Sequence, residues 1–392
     1  MDHTEREAKM KSRDLRWSEI FSDALQLILE SLSLPDFHRA RTVCSTWYSV
    51  SKSCLHRYPW LIRFPKKLTV TTDSRNLFDP VAYKWYETRS LGDDELSESR
   101  CLASYGNWLL MLNPRIDFSV LNVFSGERID LPELSLRGEV SLRRKDDGDF
   151  LLEHSSVDRE TIIERYVKRA VLWIDERTRD FVVSWIYNDR YLFSYKKGDD
   201  CWWHFHGTEC LDMAYKDSKL FVYTSDHFIE ILDFDSPSPN EITGDENPYW
   251  NRPFQFVPQL GEYFWKTRVA IDDSGDVLIV VSLKAFPVNK EERLFYVFKM
   301  NLEGDEWERL DSLGGDKVLV FGDGVIVAAS DGGGKIKRDS IYFVADDVYP
   351  LRSPSMLQSC GTFDLATAKL SWSRCPYFLS NIRWFVPGSD RK

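Results

Sequence analysis

The sequence predicts a mainly β protein with a small α module at its front, the β part being a propeller of about six blades. Three observations predict it. Aromatic residues make up 14% of the 392 positions, with 14 Trp, and aromatic side chains suit pleated, half-buried surfaces. Apolar residues recur with a period of 3.6 near the front of the chain and with a period of two beyond "LIRFPKKLTV", the signatures of helices and strands. The strands are short and are separated by Gly, Asn and Asp turns.

Residues 1–16 carry mixed charge and no apolar periodicity and are expected to be disordered. They fit neither a signal peptide nor an acid-poor transit peptide. The helical module covers 17–64. Leu25, Ile28, Leu29 and Leu32 recur at i, i+3, i+4 and i+7, one face of a helix, with Ser22 and Asp23 placed to cap it. Leu34-Pro35 opens a second helix, whose first turn tolerates the missing proline N–H. Phe37, Ala40 and Cys44, with Val43 beside them, continue its apolar side. Ser45 is placed to cap a third helix carrying Trp47 and Val50. So small a piece rarely buries enough surface alone. Either the rest of the chain covers it, as a helical cap on the β part, or a partner's groove does.

Strand sets follow at 107–132, 181–206, 219–234, 276–310, 324–347 and 361–373. The starts near 107, 181, 219, 276 and 324 are taken as inner strands, and the wide first gap predicts one more unit in 140–175. About 24 short strands divide into about six four-stranded blades. The rival architecture, two β-sandwiches, needs a linker, and "DSPSPNEITGDENPYW" at 235–250 reads instead as a long blade loop. Tyr249, Trp250 and Arg252 in that loop have the residue types of binding hot spots, although they could equally pack between blades.

Charge is uneven. Net charge is -11, yet residues 1–67 hold twelve Lys/Arg against eight Asp/Glu, which leaves the remainder at -15. The β part therefore lacks the basic footprint of a nucleic-acid binder, and the basic module suits an acidic partner. Seven Cys without a CxxC pair point to reduced thiols and a cytoplasmic or nuclear setting. No apolar run reaches the length of a membrane span. Cys201, His204, His206 and Cys210 form the one metal-like cluster, but its aromatic surroundings read as an ordinary strand edge, so neither metal nor cofactor is expected. "DGGGK" at 331–335 lacks the full phosphate-loop pattern, and "DDSGD" at 272–276 reads as a tight turn. No catalytic motif is found.

Trp17, "DALQLILESL", Leu34-Pro35 and "RARTVCSTW" together resemble an F-box, the module that docks on the Skp adaptor of cullin–RING ubiquitin ligases. The resemblance implies adaptor-binding roles for Leu25, Ile28, Leu29, Leu34, Pro35, Val43, Cys44 and Trp47. Ile20 stands for the usual leucine and Phe21 for the usual proline. Residues 65–392 resemble the β-propeller of plant F-box proteins of the KIB type, through "LFYVFKMNLEGDEWERLDSLGGDKVLVFGDG", "KRDSIYFVADD" and "GTFDLATAKLSW". Together these imply a non-catalytic substrate receptor that binds the Skp adaptor, and through it cullin and RING subunits, while the propeller holds a target protein. The alternative is a propeller scaffold whose F-box no longer enters a ligase.

Overall fold

The computed structural model describes residues 20–54, 58–64, 75–88, 99–134, 136–137, 141–144, 150–153, 159–162, 167–205, 209–236, 238–284, 293–328, 336–348, 358–374 and 382–388. Trp17, His206 and the 331–335 loop lie outside them. The chain divides into two compact units, Met1–His56 and Arg57–Lys392. The sequence placed this change at 64/65. The strand Trp60–Arg63 already pairs with Ile382–Phe385, so its backbone partners assign it to the β unit.

The first unit contains α1 (Ser22–Ser31), α2 (Leu34–Arg41) and α3 (Ser45–Ser51). Phe21, not Ser22 or Asp23, occupies the N-cap of α1, without a side-chain cap bond. Asp23 lies in the first turn, where its charge still favours the helix dipole. Ser33 caps α2 by accepting a hydrogen bond from the Asp36 N–H at 3.4 Å, and Pro35 follows within the first turn. α3 starts after Cys44, one residue before the expected Ser45 cap. Leu25, Leu29, Leu34, Phe37, Ala40, Trp47 and Cys54 are buried.

Among the described residues, the second unit is built from six blades and one separate three-stranded sheet. Blade one joins the two ends of the unit, with Trp60–Arg63, Arg75–Asp79 and Lys84–Glu87 completed by Ile382–Phe385. The register Leu61↔Trp384 and Ile62↔Arg383 closes the ring with backbone hydrogen bonds between sequence-distant segments. Blade two runs from Arg100–Tyr105 to Arg128–Asp130, blade three from Val167–Ile174 to Trp202–Phe205, and blade four from Cys210–Lys216 to Asn240–Ile242. Blade five spans Phe264–Ile271 to Glu306–Leu310, and blade six spans Lys317–Val320 to Lys369–Arg374. These last two share one sheet through a single parallel bridge, Ile271↔Val325.

Each core lies between neighbouring blades. Trp108, Phe118, Trp185 and Trp202 fill the space between blades two and three. Met213, Leu220 and Ile186 join three to four; Tyr223, Ile279 and Tyr296 join four to five; Phe295, Phe321 and Phe343 join five to six. This packing revises the inner-strand assignment. The strands beginning at Trp108, Phe181, Lys219 and Val277 pack between neighbouring blades and are therefore the most uniformly apolar, whereas Val325–Ala328, bridged to Phe264–Ile271, is the innermost strand of blade six, where an inner strand was expected. Their predecessors, Arg100–Tyr105, Val167–Ile174, Cys210–Lys216 and Phe264–Ile271, contact one another around the axis and carry charged residues. The unit expected in 140–175 is also revised. Ser141–Arg144, Phe150–Glu153 and Arg159–Ile162 form a separate three-stranded sheet, while Val167–Ile174 belongs to blade three.

Candidate functional site

On the helical unit, burial separates residues that share one sequence pattern. Leu25, Leu29, Leu34 and Trp47 are core. Ile20, Ile28, Pro35 and Cys44 are half-buried. Phe21 is 85% exposed and Val43 57%. Leu27, 70% exposed, was missed by the periodicity argument because it lies off the Leu25–Leu29 stripe. Its signal in the sequence was a leucine with no place on the buried face. Phe21, Leu27 and Val43 are thus large apolar side chains left exposed on a small unit. His38, Arg39 and Arg41 fill the last turn of α2, while residues 1–56 as a whole hold eight Lys/Arg against eight Asp/Glu.

A second surface lies on the propeller. Residues 243–263, between the last strand of blade four and the first of blade five, contain no strand and one 3-10 turn, Gly244–Glu246. Loops of this length within a compact domain are commonly functional. Asn247 Nδ2 donates to the Ile229 carbonyl at 3.0 Å, and the Phe254 N–H donates to the His227 carbonyl at 2.8 Å. The Trp307 indole donates to the Arg252 carbonyl at 3.2 Å, and Tyr296 donates to Glu262 Oε1 at 2.6 Å. The loop is thus pinned along its length.

The structure separates the three residues singled out here. Tyr249 is buried, stacks on Trp307 with ring centroids 6.0 Å apart, and accepts a hydrogen bond from the Val277 N–H at 2.8 Å. Burial pushes its phenol up to about 12. Arg252 is paired with Asp305. Trp250 is 43% exposed, and Val257, Leu260, Tyr263 and Phe264 join it on the surface.

The axis forms a third constellation. Arg169 of blade three donates through Nε to Asp212 Oδ1 of blade four at 2.5 Å, and through Nη1 to the Gly322 carbonyl of blade six. Asp212 Oδ2 accepts from the Val269 N–H of blade five at 2.7 Å, and Arg268 Nη1 lies 3.8 Å from Asp212 Oδ1. Arg383 of blade one donates to Asp323 Oδ1 at 2.8 Å and to the Cys101 carbonyl of blade two at 2.7 Å. Ser104 donates to Asp323 Oδ2 at 2.5 Å. All six blades therefore meet in one polar hub. Gly324 (φ +65°) lets blades five and six approach, since a Cβ there would lie 2.3 Å from the Val269 carbonyl.

Two family patterns match this architecture. The F-box domain matches residues 17–57 and the KIB1-4 beta-propeller matches 77–364. The chain belongs to the KIB1-4 beta-propeller family of F-box proteins. The F-box match ends one residue past the division at His56. A putative F-box protein of Arabidopsis thaliana is 46% identical over 97% of this chain and 100% of its own length. From the same organism, F-box only protein 7 is 40% identical over 97% of both chains. F-box protein KIB4 is 31% identical over 97% of this chain and 98% of its own.

Within this KIB propeller, no three His, Cys, Asp or Glu among the described residues sit together as a metal site. His204 packs between Tyr191 and Phe193, with ring centroids 5.8 and 5.3 Å away. Burial pushes the Cys210 thiol up to about 12. The Asp272–Asp276 turn is filled by the Lys299 ammonium, 3.1 and 2.7 Å from the two carboxylates. No described helix is long and apolar enough to cross a membrane.

Proposed function

We propose that this F-box protein is the substrate-recognition subunit of a Skp–cullin–F-box ubiquitin ligase and is itself non-catalytic. The observation that carries the reading is the pairing of a matched F-box with an exposed apolar face. Leu25, Leu29, Leu34 and Trp47 hold the helices together, and Phe21, Leu27, Ile28, Pro35, Val43 and Cys44 supply the apolar contact for the Skp-type adaptor. Ile20 borders the same helix start. Cullin and RING subunits enter through that adaptor. The excess basic charge of residues 1–67 comes from Arg57, Arg63, Lys66 and Lys67 of the second unit, so adaptor binding rests on the apolar contact.

The target protein docks on the 243–263 loop, where Trp250 and Leu260 offer apolar area at little entropic cost because the loop is already pinned. Tyr249 supports that surface from beneath, and Arg252 holds it through Asp305. The chemistry of ubiquitin transfer then belongs to the partner enzymes. Tethering raises the effective concentration of the target beside the loaded enzyme. This role operates in the cytoplasm or nucleus, where the ligase partners reside.

Proximity labelling under proteasome inhibition tests the target surface. Proteins enriched with the wild-type chain are expected to disappear with the Trp250→Ala/Leu260→Asp double variant, while labelling of the adaptor persists. An unchanged set of labelled proteins would place target binding elsewhere.

A further inference from the structure

The polar hub at the axis carries an imbalance. Arg169, Arg268 and Arg383 are permanently cationic, and the carboxylates set against them are Asp212 and Asp323. Lys266 and Asp347 also face the hub, but they compensate each other. One is a cation and the other an anion, and each is an electrostatic partner of the other. One positive charge is left over in a place where Arg169 is 4% exposed and Asp212 fully buried.

The hydrogen bonds are incomplete at the same point. Arg169 Nη2 and Arg268 Nε are buried and have no acceptor among the described residues. Both guanidinium groups bracket one carboxylate oxygen, Asp212 Oδ1, so the two unsatisfied donors belong to one neighbourhood. Buried donors without acceptors are rare in native proteins and signal a group still to be supplied. Water would satisfy the N–H groups but not the charge, and an uncompensated buried charge is costly.

We infer that the hub is an anion site, in which one small inorganic anion of halide size accepts hydrogen bonds from Arg169 and Arg268. The wall at Gly324 admits no bulk, since a Cβ there would lie 3.4 Å from Arg169 Nη2 and only 2.3 Å from the Val269 carbonyl, so the acceptor is taken as the smallest, a single-atom anion. A cavity of about 90 Å³ shares Ser104, Asp323 and Gly324 with the hub. The four carboxylate oxygens of Asp212 and Asp323 and the Gly322 and Cys101 carbonyls each already accept a hydrogen bond, so the further acceptor is placed outside the chain. The anion would tie blades three and five to the shared Asp212, completing the closure of the ring.

Bromide is the probe. The full chain is crystallised, alone or with its adaptor, and soaked in bromide. An anomalous peak bridging Arg169 and Arg268 is expected, and its absence, with an ordered water in its place, overturns the proposal. Thermal melting in bromide against gluconate at equal ionic strength gives the second arm. Bromide is expected to raise the propeller's Tm by about 2 °C for each tenfold increase above its dissociation constant, and Arg268→Gln is expected to abolish that difference. Equal melts in the two salts, or a bromide effect kept in Arg268→Gln, would also overturn it.

Discussion

Phe21→Pro is the most informative single substitution in the F-box. Phe21 has φ −57° and ψ 138°, and proline prefers φ near −65° with extended ψ, so the exchange introduces no backbone strain. The first helical hydrogen bond uses the Phe21 carbonyl, which accepts from the Leu25 N–H at 2.9 Å, and proline retains that carbonyl. The lost ring is 85% exposed and supports little in the free protein. Proline restricts the unfolded chain, an effect of about 0.4–1 kcal/mol in favour of the folded helix start. If position 21 meets the adaptor as a compact apolar group on a fixed backbone, affinity for the adaptor stays the same or tightens by up to about fivefold. If the ring itself inserts into the adaptor, a side chain of about 200 Å² is at stake, worth up to about 4 kcal/mol. Calorimetric titration of the full chain with the adaptor separates the two cases, with Phe21→Ala as the variant that removes the ring without stiffening the backbone. A loss beyond tenfold in Phe21→Pro, matched by Phe21→Ala, would refute the first reasoning.

Other substitutions probe other parts of the molecule. Trp47→Ala removes a buried ring from a small helical unit and should cost about 3–5 kcal/mol, read as loss of the helical melting transition and of adaptor binding together. Asp212→Leu leaves the Arg169 guanidinium and the Val269 N–H without their acceptor. It should destabilise the propeller by about 3–5 kcal/mol, measured by denaturant unfolding, and no change in the midpoint would mean that the hub does not hold the ring. Tyr249→Phe strips the acceptor from the Val277 N–H and should cost about 1–3 kcal/mol. Trp250→Ala, one residue away, should leave the same unfolding midpoint within about 0.5 kcal/mol.

The contrast between Tyr249 and Trp250 shows what the sequence could and could not carry. Both were legible as aromatics in a long loop. Which one faces inward depends on Trp307 and Val277, which are distant in sequence. The same holds in the F-box, where Leu29 and Val43 both satisfy the apolar pattern and only packing shows that one is core and the other surface. The helices themselves were legible because their period is local. Helix starts were read one residue late at Ser22 and Ser45, since the backbone turns at Phe21 and Cys44 without side-chain caps.

In the propeller, apolar density marked the strands between blades and misplaced the inner ones of blades two to five, because axial strands trade apolar residues for Arg169, Asp212 and Arg268. Blade one was not visible at all, since its two halves lie at opposite ends of the β unit and meet only through pairings such as Leu61↔Trp384. The hub is invisible for the same reason. Each blade contributes only a few residues, and no local pattern connects them.

The central claim is that the exposed face of the helical unit holds the ligase adaptor. It is tested most directly by titrating the purified Skp adaptor against the full-length chain and against a Leu27→Asp/Val43→Asp variant. Both positions are largely exposed, at 70% and 57%, so the variant should fold with an unchanged melting temperature. The account predicts a one-to-one complex with the wild-type chain and at least a hundredfold weaker binding by the variant, about 2.8 kcal/mol. Equal binding by a folded variant would place the adaptor elsewhere, and no binding by the wild-type chain would make it a propeller scaffold outside the ligase.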